Sequence, residues 1–428
     1  MQKFIVTGGT PLVGEVRIAG AKNAVLKLMA AAALTGEPCT LHNVPRISDV
    51  MIMRETMSDI GFDVRRVGGD SLRITADDAH WLFVPLEAAA KMRSSFILLG
   101  PLLTRFGQVI ISNPGGDRIG RRPVDLHVAA MESLGAKIEY KNGYYFASAP
   151  SGLRGAHIEF PYITVMGTEN ALLAATLARG TTVIENAAQE PEVDDLIQML
   201  CGMGARIERV APHRIEVEGV TALRGAEHSV IGDRLEAGTF AIAAAATGGD
   251  ITIRGASPAH LGSFLEVLQS MGVPVEILAA GPSGTDGGGL RVRAASTYAP
   301  ASIETQPYPG FATDLQAPLA VLMTQADGVS TIHETIYEDR LDYTTELAKM
   351  GAVIEIEDER HCRIAGPTPL HGREVSIADL RAGATLVLAA LTAPETSVIS
   401  GVQHVDRGYE QIESKLVALG AQIHRIDA

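Results

Sequence analysis

The stretch from Asn113 to His127 combines residue types that bind small anions. It reads Asn-Pro-Gly-Gly-Asp-Arg-Ile-Gly-Arg-Arg-Pro-Val-Asp-Leu-His. Its glycines permit positive φ and a close approach of the backbone to a ligand. Its three arginines carry planar forks suited to carboxylate or phosphate: Arg118, Arg121 and Arg122. Solvated charges on a surface hairpin loop would show the same composition, so this stretch alone leaves both interpretations open.

Two regular elements flank this loop and must position it. The run Gln108–Ser112 has the β-branched composition of a strand, and a helical pattern follows over residues 126–134. Pro123 and Asp125 are typical of a helix's first turn. The sequence therefore predicts a strand, a loop and a helix in succession.

Composition limits the partners of this loop. The chain has 428 residues, a net charge of −14 and only 5% aromatic residues. This charge argues against nucleic acid or an anionic membrane as a partner, and a cluster of arginines in an acidic protein suits a small anionic ligand.

The three cysteines are far apart, which predicts neither a disulfide framework nor a zinc site. We expect no metal and no cofactor, and no obligate protein partner is evident. The N-terminus lacks a signal-peptide pattern, so we expect a cytoplasmic location.

Internal repetition defines the fold class. A glycine of the type that ends a helix recurs about every 70 residues, at Gly61, Gly135, Gly204, Gly272, Gly351 and Gly420. Each unit reads as an Ala-rich helix, a strand, a second helix and two alternating strands. The sixth unit ends early, and the strand at residues 3–7 has no unit of its own. We predict that this N-terminal strand completes the sixth unit.

The repeats predict an α/β protein of two lobes, each built from three βαβαββ units. One lobe would span residues 21–229 and contain the Gly-rich loop. The other would combine residues 1–20 with residues 230–428. The alternative of one continuous barrel is less consistent with a chain that crosses between lobes at its middle.

Charged residues recur where the helices begin. They open the predicted first helix of each unit at Lys22, Arg93, Glu169, Arg234, Asp314 and Arg381, and stand near second helices at Arg122, Asp125, Arg340 and Arg407. Helix N-termini bind anions through their unpaired N–H groups and dipole. A single such side chain is usually solvated, but the recurrence favours a ligand site with two anionic ligands.

Seven motifs together resemble the UDP-N-acetylglucosamine enolpyruvyl transferases, and the likeness extends over nearly the whole chain. The motifs are Gly20-Ala-Lys-Asn23, Arg93, Arg122-Pro-Val-Asp-Leu-His127, Pro307–Gln316, Glu334–Arg340, Ala378-Asp-Leu-Arg381 and His404-Val-Asp-Arg-Gly-Tyr409. The resemblance implies lobes that are pseudo-threefold α/β prisms. It also implies transfer of the enolpyruvyl group of phosphoenolpyruvate to the 3-hydroxyl of UDP-N-acetylglucosamine, without a cofactor, at the start of peptidoglycan precursor synthesis.

The resemblance also assigns roles to residues. It implies phosphoenolpyruvate binding by Lys22, Arg93, Arg122 and Arg407. Sugar-nucleotide binding falls to Asn23, Pro123, Val124, Asp125, Leu126, Ile336 and Arg340, and the late motif adds Asp379 and Arg381 to the substrate-binding set. Asp314 is the expected base. Asp117 is the expected acid of the loop, or else assists the departure of phosphate, and Lys22 and Arg407 assist catalysis.

The chain departs from the family pattern at two places. Asp117 stands where most members have cysteine, the residue that the epoxide fosfomycin alkylates, so the resemblance implies resistance to that inhibitor. The segment from Phe160 to Asn170 is longer by two residues than the usual nucleotide-binding segment, and carries Met166 where glycine is typical.

Three other functions stay open at this stage. One is enolpyruvyl transfer to a different acceptor, as in 5-enolpyruvylshikimate-3-phosphate synthase. Another is a sensor that binds a UDP-sugar without turnover, and the third is a structural protein built of repeats.

Overall fold

Strands organised in sheets of four form the framework of the protein. The computed structural model describes residues 2–76, 82–116, 119–279 and 288–427. Two compact units divide this chain. We call residues 20–116 with 122–231 the middle unit. We call residues 2–19 with 232–427 the terminal unit, and residues 119–121 group with it.

The first strands of the chain, β1 (Gln2–Thr7) and β2 (Val13–Arg17), belong to the terminal unit. The middle unit follows with helices α1 (Lys22–Ala31), α2 (Ser48–Ile60), α3 (Leu86–Lys91), α4 (Leu99–Phe106), α5 (Asp125–Ser133), α6 (Val165–Ala175) and α7 (Pro191–Gly202). Its strands are β3 (Cys39–His42), β4 (Asp63–Arg66), β5 (Leu72–Thr75), β6 (Phe83–Val84), β7 (Gln108–Ser112), β8 (Lys137–Lys141), β9 (Tyr144–Ser148), β10 (His157–Thr164), β11 (Thr181–Ala187), β12 (Arg206–Ala211), β13 (Arg214–Glu218) and β14 (Glu227–Ser229).

The remaining elements complete the terminal unit. Its helices are α8 (Arg234–Ala246), α9 (Gly262–Ser270), α10 (Thr313–Met323), α11 (Tyr343–Lys349), α12 (Leu380–Thr392) and α13 (Ile412–Ala418). Its strands are β15 (Asp250–Arg254), β16 (Val275–Leu278), β17 (Gly289–Arg293), β18 (Ser302–Glu304), β19 (Gly328–His333), β20 (Val353–Ile356), β21 (His361–Gly366), β22 (Glu374–Ser376), β23 (Thr396–Ser400) and β24 (Gln422–Asp427).

Within the described residues these strands form six sheets, each with one parallel and two antiparallel pairings. The middle unit has the orders β14-β3-β5-β4, β6-β7-β9-β8 and β10-β11-β13-β12. The terminal unit has β16-β17-β15-β2, β18-β19-β21-β20 and β22-β23-β1-β24. The predicted role of the N-terminal strand is confirmed, because β1 lies antiparallel between β23 and β24, with Phe4 opposite both Ile399 and Arg425.

Helices buried on every side make up the core of each unit. In the terminal unit α8, α10 and α12 pack against one another. In the middle unit α4 packs on α6 and on the 3-10 turn Ala32–Leu34 that continues α1. A helix without a solvated face must be apolar all round, and alanine lets such helices approach closely. This explains the Ala-rich composition that marks each repeat.

One predicted helix start is wrong, and another begins a different type of helix. Glu169 does not open its helix, because α6 begins at Val165, where the Thr164 side chain accepts a hydrogen bond from the Gly167 amide. Glu169 therefore lies one turn inside and is fully buried. Arg93 begins a 3-10 helix, Arg93–Leu98, that leads into α4 rather than an α-helix of its own.

A buried polar network joins the helix after the Gly-rich loop to its neighbours. The Asn170 side chain accepts a hydrogen bond from the Gly100 amide at 2.7 Å and donates one to the Phe96 carbonyl at 3.0 Å. The same Asn170 amide nitrogen lies 3.1 Å from Nδ1 of His127, whose ring packs edge-on against Phe96. Burial, together with the positive charge of Arg93, lowers the pKa of His127 to about 3.

This neutral histidine predicts a pH dependence of stability. Below pH 6.5 an unfolded histidine gains a proton, whereas folded His127 stays neutral down to about pH 3. The unfolded state then binds more protons, so stability is lost as the pH falls through this window, by up to about 1.4 kcal/mol per pH unit. We expect His127→Gln to flatten the dependence of the unfolding free energy on pH between about 6.5 and 4, measured by urea denaturation. Equal slopes in the two proteins would show that His127 is protonated in the folded state.

Candidate functional site

Gly115 and Gly116 of the Gly-rich loop pack closely against α3 and Arg93. The Gly115 amide donates to the Ala89 carbonyl at 2.9 Å, and a Cβ on Gly115 would lie 2.3 Å from the Ala90 carbonyl oxygen. Gly116 has φ +110° and lies against Arg93. Glycine is therefore required here for close backbone packing. Asp117 and Arg118, the candidate acid and its neighbour, lie outside the described residues.

The Arg-Pro-Val-Asp-Leu-His motif starts α5 beside Arg93. An Nη2 hydrogen of Arg93 is donated to the Pro123 carbonyl at 3.0 Å. Val124 is buried, Leu126 is partly buried, and Pro123 and Asp125 are exposed. Arg122, partly buried, comes directly before this turn. The structure thus brings two of the predicted anion-binding arginines to one corner of the middle unit.

Lys22 is the first residue of α1 and is paired with a carboxylate that the sequence did not single out. Its Nζ lies 3.0 Å from Asp49, whose side chain is 1% exposed near the start of α2. Asn23 follows on α1 and is partly buried. An ammonium held by a buried carboxylate keeps a fixed position, which a group that contacts a substrate requires.

A second lysine–carboxylate pair lies deeper in the same helix. Lys27 Nζ is 3.4 Å from Glu169, and it also donates to the Asn23 carbonyl. Burial raises the pKa of Glu169 to about 7, against the opposing effect of Lys27. The pair connects α1 to α6 beneath the Lys22–Asn23 motif.

In the terminal unit, Asp314 is held by two arginines from different segments. Its Oδ1 accepts from Arg340 at 2.6 Å and its Oδ2 from Arg381 at 2.9 Å. Burial lowers the pKa of Arg381, but Asp314, Tyr409 and Asp233 together raise it more, so this pKa lies above its ordinary value. Arg381 is 4% exposed and Arg340 6%. Three predicted site residues, far apart in sequence, therefore form one charged cluster.

Glu334 shapes the segment that carries Ile336. One oxygen of its buried carboxylate accepts from the amides of Ile336 and Tyr337, at 2.8 and 3.1 Å. The other oxygen accepts from the Thr313 hydroxyl at 2.7 Å, next to Asp314. Glu334 therefore ties the turn at Ile336 to the start of α10.

The two late motifs meet through a tyrosine. Asp379 is the N-cap of α12 and accepts from the amides of Arg381 and Ala382, as a helix start prefers. Nη1 of Arg381 donates to the Tyr409 hydroxyl at 3.0 Å, and this hydroxyl also pairs with Thr239 at 2.8 Å. Arg407 ends the 3-10 helix Val402–Arg407, two residues before Tyr409.

Sequence reasoning missed the partners rather than the charged groups themselves. Asp49, Glu334 and Tyr409 hold predicted residues in place but were assigned no role. Asp49 follows Ser48 at the start of a second helix, the position that carries charge in other repeats, and this signal could have identified it. Glu334 and Tyr409 lie inside motifs that the sequence did single out.

The segment that departs from the family pattern is extended strand, then helix. β10 runs over His157–Thr164 parallel to β11, and its register shifts between Glu159 and Thr164. The Asn186 side chain donates to the Phe160 carbonyl within this irregular stretch, at 2.6 Å. Tyr162 is exposed there.

None of the helices in the described ranges has the length and apolar character that a membrane crossing requires. Among the described side chains, His, Cys, Asp and Glu form no group of three suited to a metal ion.

Known proteins share this architecture. The family of EPSP synthase (3-phosphoshikimate 1-carboxyvinyltransferase) matches residues 6–416. The solved enolpyruvyl transferase NikO from Streptomyces tendae has a TM-score of 0.89 and 25% identity, covering 100% of this chain and 99% of its own. An EPSP synthase from Acinetobacter baumannii, 18% identical with full coverage of both chains, shares the fold with a TM-score of 0.76. The predicted fold class is confirmed.

Curated relatives match more closely in sequence. The UDP-N-acetylglucosamine 1-carboxyvinyltransferase of Solibacter usitatus is 47% identical over 427 residues, covering 100% of both chains. That of Koribacter versatilis is 46% identical over 429 residues, covering 100% of this chain and 97% of its own. The chain therefore belongs to the enolpyruvyl transferase family, among the UDP-N-acetylglucosamine 1-carboxyvinyltransferases.

Proposed function

We propose that the protein transfers the enolpyruvyl group of phosphoenolpyruvate to the 3-hydroxyl of UDP-N-acetylglucosamine and releases phosphate. The observation that carries this proposal is the 47% identity over the whole chain with a relative of that name. The reaction would be the first committed step of peptidoglycan precursor synthesis, which supports cell shape and division. We propose a cytoplasmic location, where both substrates are available.

The chemistry requires an acid, a base and strong anion binding. A proton is added to the methylene carbon of phosphoenolpyruvate, the sugar hydroxyl attacks the adjacent carbon, and the tetrahedral adduct then loses phosphate and a methyl proton. We assign Lys22, Arg93, Arg122 and Arg407 to the carboxylate and phosphate, whose charge they would stabilise during the reaction.

Asp314 is the proposed base for the sugar hydroxyl. Each of its oxygens accepts an arginine hydrogen bond, and a carboxylate has about four acceptor sites in all. The Asp314 side chain is 23% exposed, so the carboxylate is accessible to a hydroxyl while both arginines hold it. The two arginines hold the carboxylate in one orientation, which a base needs to meet its substrate proton.

The acceptor side is proposed from the segments next to these charges. We assign the nucleotide to Asn23 and to Pro123, Val124, Asp125 and Leu126, and the sugar to Ile336, Arg340, Asp379 and Arg381. Two hydrogen bonds support this assignment. The Ile336 amide donates to the Glu334 carboxylate, and the Arg381 amide donates to the Asp379 carboxylate, so both segments have a defined backbone position. Shikimate 3-phosphate is the competing acceptor, and phosphate release with each acceptor in turn compares the two directly.

We expect phosphate release only when phosphoenolpyruvate and UDP-N-acetylglucosamine are both present. Asp314→Asn should lower kcat by about two to four decades, because loss of a general base usually costs that much. Asp250→Asn is the matched control. The Arg291 guanidinium also binds Asp250 with two hydrogen bonds, but Asp250 lies on strand β15 rather than at a helix start. A near-normal rate for Asp314→Asn, with the control active, would place the base elsewhere.

Asp117 leads to a prediction about fosfomycin. A thiolate is a strong nucleophile towards an epoxide, whereas a carboxylate is a weak one. We expect the natural protein to resist inactivation and Asp117→Cys to be active and inactivated, with one adduct seen by mass spectrometry. The exposed Cys201 of the natural protein is an internal control for non-specific alkylation. Rapid inactivation of the natural protein would contradict the assignment.

The same substitution tests whether Asp117 acts as the acid. A general acid works below its pKa, and the ordinary pKa is about 3.9 for aspartate and 8.5 for cysteine. The rate of the natural enzyme should therefore fall at lower pH than the rate of Asp117→Cys. Superimposable pH profiles would show that Asp117 does not take the place of the cysteine.

A further inference from the structure

The last strand of the chain carries an arginine that reaches the motif around Arg407. Arg425 lies on β24 and its guanidinium binds Asp406 with both arms, at 2.8 Å from Nη1 and 2.6 Å from Nη2. Its Nε donates to Glu413 at 2.7 Å. The guanidinium therefore directs its whole fork at two carboxylates, of which one directly precedes Arg407.

Neighbours from the N-terminal strand hold Arg425 itself. The guanidinium lies over the Phe4 ring at 4.8 Å, and Nη1 also donates to the Gln2 side chain at 3.0 Å. Both residues belong to β1, which pairs with β24. The arginine is 21% exposed and Asp406 34%, so solvent partly screens the pair. The pair matters here because its geometry fixes the position of Asp406.

The segment that carries Arg407 is anchored on both sides. On one side Asp406 is held by Arg425. On the other, Tyr409 is buried and its hydroxyl is bonded to Arg381 and Thr239. Only Arg407 and Gly408 lie between these anchors, so the two anchors fix the backbone position of Arg407.

We propose that Arg425 is a positioning residue for Arg407: through Asp406 it fixes the turn that presents Arg407 to phosphoenolpyruvate. This inference rests on the proposed function, in which Arg407 binds that substrate. The inference adds a residue of the C-terminal strand to those that serve the reaction. It also implies that β1, which pairs with β24 in the sixth sheet, helps to position Arg407.

The test is Arg425→Lys, which keeps the charge but replaces a planar fork by a point charge that cannot bind Asp406 with two arms. We expect kcat/KM for phosphoenolpyruvate to fall about ten- to a hundredfold, the usual effect of a small misplacement of a binding group. The KM for UDP-N-acetylglucosamine should stay unchanged. A merely structural role would lower the amount of folded enzyme and leave both KM values unchanged.

Arg291→Lys is the matched control, because Arg291 binds Asp250 with two arms in the same unit, on β17 of a different sheet from β24. Asp406→Asn removes the other half of the pair, and its effect on phosphoenolpyruvate use should not add to that of Arg425→Lys, because both substitutions break the Arg425–Asp406 pair. Arg407→Ala sets the reference for a lost phosphoenolpyruvate contact.

The outcomes separate the inference from the function on which it rests. Arg425→Lys kinetics equal to those of Arg291→Lys, with Arg407→Ala impaired in phosphoenolpyruvate use, would overturn the positioning role alone. Additive effects of Arg425→Lys and Asp406→Asn would also overturn it. An Arg407→Ala enzyme with normal kinetics would overturn both the inference and the role of Arg407, and a natural protein without phosphate release would overturn the proposed function.

Discussion

Complete burial of the central helices is the constraint on which the rest of this structure depends. Helices such as α8, α10 and α12 have no solvated face, so their length is apolar and charged side chains are confined to their ends. Asp314 is the second residue of α10 and Arg381 the second of α12. Their ion pair shows that these two helix starts lie at the same end of the terminal unit.

Charged groups at this end support one another in a connected set. Arg381 links Asp314 to Tyr409, Tyr409 reaches Thr239 on α8, and Glu334 joins the start of α10 to the turn at Ile336. Buried charges are tolerated only when they are paired and hydrogen-bonded. Removal of one member would leave its partners unsatisfied, so the members of this set stabilise one another.

In the middle unit, different residues pair the buried charged and polar groups. Its helix start at Lys22 is paired with Asp49, and its buried His127 is neutral and bound to Asn170. The Gly-rich loop is held close to α3 by backbone contacts at Gly115 that a side chain would prevent. Repetition of one βαβαββ unit therefore fixes where polar groups stand, while the polar residue types differ from unit to unit.

Local sequence patterns were enough to establish the repeat, the fold class and most of the charged residues of the candidate site. Helix-ending glycines, Ala-rich runs and alternating strands have direct physical causes, and they are visible without partners. The N-terminal strand could be assigned to the sixth unit because the last unit lacked one. The resemblance to the enolpyruvyl transferase motifs then predicted roles for Lys22, Asp314 and Arg407.

The pairing of these residues, in contrast, became visible only in the folded chain. Asp314 meets Arg340 and Arg381, Lys22 meets Asp49, and Arg425 meets Asp406, across separations that no periodicity encodes. Glu169 lies in the interior rather than at a helix start, because Thr164 caps α6 one turn earlier. Local propensity is read from neighbours in sequence, whereas ion pairs and burial depend on how distant segments pack against one another.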